Sequence, residues 1–289
     1  MEDTGMKPLL AYNLELGGGS ILQLANQSPT QMMSYIIDCP KGGTIVIDGG
    51  MFCNEDADHL YNQLQRRGKK VDIWFFTHCH FDHFGAWLKL IEQGNFDIEI
   101  GRLCFNFPSY DWLMTKEHSQ YTEKFFAALA QTDFTVVTAH AGDVFSCGGI
   151  DIEVLCEPVN YENYRGINPT GIILKAYFPK QSVLFLGDYD MEAEENYKKH
   201  FSIEKLRCDI VQMAHHGQGG VTRAFYELIQ PKYCLYCAPD WLWENNIGSR
   251  GGPETRGQGR FKTLETRRWM AEMGVIRSFH MGDGDWLFF

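Results

Sequence analysis

The sequence predicts an α/β (α+β) fold in which short strands and amphipathic helices alternate along most of the chain. One observation is the series of short β-type runs in the first 50 residues, where glycine and proline clusters separate them as in antiparallel hairpins. The other is the order of patterns after residue 57, where apolar runs of strand length are followed by segments with helical periodicity. Together they predict sheets combined with packed helices.

The composition is that of a globular protein with a substantial core. The chain has 289 residues, 44% of them hydrophobic, which is enough for one large domain or two small ones; we expect a single domain over residues 1–289. Its 26 lysines and arginines against 37 acidic residues give a formal net charge of −11. The basic footprint of a dedicated nucleic-acid binder is therefore missing.

The cysteines and the N-terminus favour a reduced, cytoplasmic protein. Nine cysteines, an odd number, are scattered along the chain. Residues 1–7 have no basic start followed by an apolar core, so we expect no signal peptide. No apolar run approaches the length that spans a bilayer, and we expect no membrane partner. Cys234 and Cys237 form an isolated CxxC in a strand-like run and are interpreted as buried thiols.

The N-terminal part is predicted as hairpins followed by a helix and a strand–helix pair. Asp48 ends the third β-type run and is followed by two glycines, which is compatible with a plain turn. The predicted elements are strands at 20–24, 34–38, 44–48 and 71–76 and helices at 57–68 and 84–91.

The stretch Thr-His-Cys-His-Phe-Asp-His at 77–83 lies between that last strand and its helix. In extended chain, residues i and i+2 point the same way, so His78 and His80 can bind one metal ion together. Asp82 and His83 follow the bend and suit a second ion nearby. Imidazole and carboxylate ligands suit zinc, iron or manganese. The alternative is a histidine-rich surface turn without a ligand.

The middle of the chain adds one carboxylate at a strand end. Asp188 follows an apolar strand, where an unpaired carboxylate is costly, so we expect it to bridge the two metal ions. His140 precedes a Gly-Asp turn and is interpreted as structural. The predicted elements are a strand pair within 96–107, a helix over 115–131, a strand from 134, two strands within 141–156 and strands at 172–178 and 182–186.

A further strand, predicted over 208–214, ends in His215 and His216. One of these histidines should bind the second ion, and the other could hold a leaving oxygen or act as an acid; we assign His216 as the ligand. The C-terminal region is predicted as a helix over 223–229, a strand over 233–237, a mobile loop at about 245–260, a helix over 263–273 and a terminal hairpin from 277 to 289.

Three segments make the sequence resemble the metallo-β-lactamase superfamily over nearly its whole length. They are THCHFDH at 77–83, NPTGIIL at 168–174 followed by LFLGD at 184–188, and AHHG at 214–217. The branch it resembles most contains the soluble domain of ComEC-like competence proteins and the phosphorylcholine esterases, although Thr170 stands where that branch often has serine. The resemblance implies a four-layer αββα sandwich of two mixed sheets with outer helices, and a dinuclear metal site at one edge.

The resemblance also implies roles for individual residues. It implies that Asp48 supports the metal site from behind and that Asn168 stands near the place of a further histidine that many superfamily hydrolases carry, or holds substrate. Arg250, Arg256 or Arg260 could meet an anion, or could simply lie in a solvated loop or a subunit contact. The metal ligands we expect are His78, His80 and Asp188 for the first ion and Asp82, His83, Asp188 and His216 for the second. The residues expected in catalysis are Asp82, His215 and Asn168.

The resemblance implies that the function is that of a metal-dependent hydrolase, a phosphodiesterase or phosphoesterase that uses a metal-bridging hydroxide on two divalent ions, zinc before manganese or iron. The expected partner is a small-molecule or phosphoester substrate; nucleic acid is possible by resemblance but unsupported by charge. Alternatives are a lactone or thioester hydrolase on the same site, a metal-binding protein without catalysis, and a di-iron oxidoreductase, which would need a flavin-bearing domain.

Overall fold

The computed structural model of the protein describes residues 7–94 and 96–289. The segment 1–6, on which most of the signal-peptide prediction rests, lies outside the described residues. Within these ranges, every helix is too short or too polar to cross a membrane.

Strands and helices alternate in the described chain as the sequence predicts. The strands are β1 (Leu9–Tyr12), β2 (Ser20–Gln23), β3 (Tyr35–Asp38), β4 (Thr44–Ile47), β5 (Lys70–Phe75), β6 (Glu99–Phe105), β7 (Val136–Thr138), β8 (Val144–Cys147), β9 (Ile150–Val154), β10 (Leu174–Tyr177), β11 (Ser182–Phe185), β12 (Ile210–Gln212), β13 (Tyr233–Tyr236), β14 (Arg277–His280) and β15 (Asp285–Phe288). The α-helices are α1 (Asn54–Gln65), α2 (Phe81–Glu92), α3 (Tyr110–Lys116), α4 (Gln120–Gln131), α5 (Glu194–His200), α6 (Arg223–Ile229), α7 (Asp240–Trp243) and α8 (Thr263–Glu272).

The strands form two mixed sheets. The first has the order β1-β15-β2-β3-β4-β5-β6-β7 and the second the order β14-β13-β12-β11-β10-β9-β8. In the first, β2, β3 and β4 pair as antiparallel hairpins, with Ile21 opposite Ile37, and β4 to β7 are parallel. In the second, β8 to β11 are antiparallel and β11 to β14 are parallel.

Apolar side chains join the two sheets face to face. The rings of Tyr35 on β3 and Phe185 on β11 lie 5.1 Å apart, edge to face. Those of Phe75 on β5 and Phe145 on β8 lie 5.2 Å apart. Every residue of β4 and β12 is buried, as expected for strands covered on both faces. The two sheets therefore share a central core.

Helices cover the outer faces of both sheets. Trp87 of α2 and Phe125 of α4 pack beside Phe76 at the end of β5. On the other side, Tyr197 of α5 and Phe225 of α6 belong to a second buried cluster against the second sheet. The arrangement confirms the predicted four-layer αββα sandwich of two mixed sheets with outer helices.

Two local predictions about the fold are wrong. The predicted helix over 115–131 is broken at 117–119, between α3 and α4. The predicted terminal hairpin does not form, because β14 pairs with β13 in the second sheet while β15 pairs with β1 and β2 in the first. The chain crosses from one sheet to the other at 281–284.

Candidate metal centre

The candidate metal centre lies where four strands of the two sheets end. In the first sheet, β4 leads into Asp48, and β5 leads into the histidine-rich segment 77–83. In the second, β11 leads into Asp188, and β12 leads into the pair at 215–216. Both strand pairs are parallel, so their carboxyl ends share an edge, where α/β sheets commonly place their ligands.

Four buried side chains form one group of residues that could bind a metal ion. Asp82, His83, Asp188 and His216 each offer one atom, and these atoms all lie within 4.8 Å of one another. Asp188 Oδ1 is 3.1 Å from His83 Nε2 and 3.6 Å from His216 Nε2. His216 Nε2 is also 3.2 Å from Asp82 Oδ2. This group has the composition expected for the second ion.

A second group consists of His78, His80 and Asp188, again with ligand atoms within 4.8 Å of one another. His78 Nε2 lies 3.0 Å from His80 Nδ1 and 3.8 Å from Asp188 Oδ2. Asp188 therefore faces both groups, one oxygen towards each. The buried cluster is suited to a dinuclear metal site.

Several buried polar atoms at the centre have no hydrogen-bond partner in the part of the chain that the structure describes, which indicates whether the residues there could bind metal ions. Among the described residues, His83 Nε2, His216 Nε2 and Asp188 Oδ1 are buried and lack a hydrogen-bond partner. They approach one another closely, but not in hydrogen-bond geometry. Buried polar atoms are costly when left unsatisfied. Nitrogen and oxygen lone pairs converging in this way fit divalent cations.

The opposite nitrogens of these imidazoles are held by other groups. His83 Nδ1 lies 2.8 Å from Asp48 Oδ2, and His216 Nδ1 donates to the carbonyl of Cys237 over 3.0 Å. His78 Nδ1 is 3.2 Å from Thr77 Oγ1. Such partners set the tautomer of each ring and direct its free nitrogen to the ion.

Residues 28–217 match the family model described as the metallo-beta-lactamase superfamily. The chain belongs to this superfamily. It is thus a member of a metallo-beta-lactamase fold hydrolase family whose substrate is unspecified. Comparison with curated protein sequences returns no significant match.

Two solved structures illustrate the range of the superfamily fold. CmlA, a diiron beta-hydroxylase from Streptomyces venezuelae, is 14% identical, with a TM-score of 0.57 over 91% of this chain and 53% of CmlA. The chain thus spans about half the length of CmlA. The metallo-beta-lactamase fold protein YhfI from Bacillus subtilis is 10% identical, with a TM-score of 0.52 over 93% of this chain and 99% of YhfI. At these identities the likeness concerns the fold alone.

The electrostatic environment of the centre holds Asp188 and Asp82 ionised. Burial alone would raise the pKa of Asp188, but the neighbouring histidines, His216 first, hold that pKa well below its ordinary value. Burial also opposes ionisation of Asp82, yet the neighbouring imidazoles of His216 and His83 lower its pKa. Burial, reinforced by His83, lowers the pKa of His78 well below its ordinary value. His78 is therefore neutral and can offer a nitrogen lone pair.

The backbone is strained where it presents several of these side chains. His215 and His216 have φ values of 50° and 55°, and Asp48 has 60°. Left-handed backbone is uncommon for residues other than glycine and concentrates at functional sites. The strain turns the chain at the ends of β4 and β12, so that these side chains reach the centre.

His215 and Asn168 lie together at the rim of the site. His215 Nε2 is 3.7 Å from Asp188 Oδ2, and 30% of the side chain is exposed. Asn168 Nδ2 lies 3.4 Å from both ring nitrogens of His215. His215 belongs to neither group of ligand atoms that surrounds Asp188. Its position is open to a substrate.

One cavity lies beside the metal centre and another beside the 245–260 segment. The two cavities share no lining residue. A cavity of about 410 Å³ is lined by His80 and Asn168, with Lys116 and Arg165 as its cationic residues. Another, of about 710 Å³, is lined by Trp241 and Arg256, and Arg256 is paired with Glu244. Arg260 lies over the ring of Phe261. Lys116 and Arg165, which the sequence reasoning missed, are thus the cationic residues of the cavity beside His80, and Arg165 is paired with Glu192.

We predict that Asp48→Asn weakens metal binding about 10- to 100-fold. Asparagine tolerates the left-handed backbone and still accepts the 2.8 Å hydrogen bond from the Thr77 amide. Its amide group would instead place a donor against His83 Nδ1, where Asp48 Oδ2 now accepts. Titration of the metal-free protein with zinc measures the change.

Asp56→Asn is the matched control for that variant. Asp56 is a buried carboxylate that accepts the backbone amides of Gln27 and Ser28, which do not belong to either ligand group. The control should lose stability and keep its zinc affinity. Equal zinc affinities for the two variants would contradict the role of Asp48.

Proposed function

We propose that the protein is a phosphodiesterase or phosphoesterase that works with two divalent metal ions. The observation that carries the proposal is the position of Asp188, whose two oxygens face separate groups of buried ligands. Two ions held by these groups would lower the pKa of bound water and would stabilise both the attacking and the leaving oxygen of a phosphoester. The ligands would be His78, His80 and Asp188 for one ion and Asp82, His83, Asp188 and His216 for the other.

The residues at the rim would bind the substrate. His215 is partly exposed beside Asp188, and because burial lowers its pKa, its neutral imidazole would hold the departing oxygen by a hydrogen bond from its N–H. Asn168 can donate its amide to a non-bridging phosphate oxygen, as the resemblance to the ComEC-like and phosphorylcholine esterase branch suggests. Asp82 would hold the second ion and orient His216.

The cavity beside His80 has the size of a small-molecule site. Its volume of about 410 Å³ suits a small molecule. Lys116 and Arg165 are its cationic residues, but Arg165 is paired with Glu192. Glu117 and Asp190 also line the cavity. The net charge of −11 gives no support to nucleic acid as the substrate.

The finer assignments of metal and setting belong to the same proposal. We propose zinc, because buried imidazole and carboxylate ligands suit it, with manganese or iron as substitutes. We propose a single domain in the reducing cytoplasm, where the nine cysteines, all unpaired in the structure, would stay reduced.

Elemental analysis of the purified chain, combined with hydrolysis of bis(p-nitrophenyl) phosphate in zinc or manganese, tests the proposal. We expect two ions per chain and metal-dependent cleavage. The matched control is His140→Ala, since His140 is exposed and paired with Glu157 outside the ligand groups. It should keep full activity.

The other outcomes identify the alternatives. Two ions with cleavage of lactones or thioesters, but of no phosphate ester, would replace the proposal with another hydrolase. A coloured protein that holds two iron ions and cleaves no ester would indicate oxidative chemistry. Two colourless ions without any hydrolysis would favour a binding protein.

A further inference from the structure

The imidazole of His80 lies between His78 and Glu117, and Glu117 belongs to neither of the two ligand groups. Its Nδ1 is 3.0 Å from His78 Nε2, and its Nε2 is 3.0 Å from Glu117 Oε2. One ring nitrogen therefore faces the proposed first ion, while the other faces Glu117.

The backbone holds Glu117 in this position. The residue directly follows α3, where its amide donates to the Leu113 carbonyl over 3.0 Å and its carbonyl accepts from the Ser119 amide over 2.8 Å. Both the helix end and the following turn thus restrain it. With His80 and Asn168 it lines the cavity beside the metal centre.

Of the proposed ligands, His80 depends most on a hydrogen-bond partner outside the ligand groups. Its side chain is 20% exposed, whereas those of His78, His83 and His216 are fully buried. The group it belongs to also offers three ligand residues, against four in the other group. A partly exposed ring in the smaller group can rotate unless something outside the centre holds it.

We infer that Glu117 is a positioning residue that secures the first metal ion by accepting a hydrogen bond from His80 Nε2. That bond keeps the proton on Nε2 and leaves the Nδ1 lone pair directed at the ion. The inference rests on the proposed dinuclear site and adds to it the residue that compensates for a small ligand group.

Zinc titration of the metal-free, full-length protein against a chromophoric chelator tests this role without measuring activity. We expect Glu117→Ala to weaken the binding of one of the two zinc ions about 10- to 100-fold and to leave the affinity for the other unchanged. Glu117→Gln should restore most of that affinity, because its amide oxygen still accepts from Nε2. The Nε2 proton of His80 should give a protected NMR signal in the wild type that the alanine variant lacks.

Glu123→Ala is the matched control, since Glu123 is an exposed glutamate 3.9 Å from His118 Nε2, outside the centre. It should bind both ions as the wild type does. Wild-type affinity for both ions in Glu117→Ala would overturn the inference, and so would an equal loss of both ions. A wild-type chain that binds fewer than two ions would instead overturn the proposed function, whatever the variants do.

Discussion

The Asp188→Asn variant is expected to lose both metal ions and about a thousand-fold or more of any hydrolytic turnover. Asp188 Oδ1 lies 3.1 Å from His83 Nε2, while Oδ2 lies 3.8 Å from His78 Nε2. Asparagine removes the negative charge and offers only one oxygen, so it cannot serve both groups. Metal ions supply several kcal/mol of transition-state stabilisation, and about 4 kcal/mol corresponds to a thousand-fold in rate.

Metal content and turnover of the same preparation measure this effect. The control is Asp209→Asn, at the other end of the same parallel strand pair. Asp209 accepts the Ser182 amide over 2.9 Å and pairs with Lys232, so its loss affects stability alone. An Asp188→Asn protein that still binds two ions would show that Asp188 does not bridge them.

The strand ends explain why most of the candidate site could be predicted. His78, Asp188 and His216 each follow an apolar run, and such runs form parallel strands that end at a common edge. The spacing of His78 and His80 needs only the geometry of extended chain. Local patterns therefore lead to these candidate ligands without knowledge of the tertiary structure.

Glu117 could not be found in that way. The apolar periodicity of 115–131 predicts one helix, which would place Glu117 in its first turn. Nothing in that position indicates a contact with a metal ligand. The structure ends α3 at Lys116 and starts α4 at Gln120, with the Ser119 hydroxyl accepting from the Tyr121 amide. A serine cap was the available signal, but no glycine or proline marks the break.

Hydrogen-bond partners on distant strands are equally difficult to predict from the local sequence. The Cys237 carbonyl that holds His216 belongs to the backbone after β13, and a backbone group carries no sequence signature. The terminal strands show the same limit. Gly282 and Gly284 indicate a turn, but the choice of sheet depends on packing, where Phe279 on β14 contacts Trp286 on β15 across the two sheets at 4.9 Å.

Gly217→Ala is expected to destabilise the protein by about 2–4 kcal/mol and to weaken binding of the second ion. Gly217 follows His216 directly and has a φ of +79°. An added Cβ would lie 2.2 Å from the ring of Tyr236, a buried side chain that packs against Trp243 and has no room to move away. Relief of this overlap must shift the backbone that carries His216.

Urea unfolding and zinc titration of Gly217→Ala should therefore change together. Gly142→Ala separates the two causes, because Gly142 has a similar φ of +94° but no atom within 4 Å of the added Cβ. It should lose only the backbone contribution, about 1 kcal/mol, and bind zinc normally. If both variants lost the same stability, the contact with Tyr236 would not restrain the loop. The expected difference would show that the packing of β13 positions His216, the proposed metal ligand that follows β12.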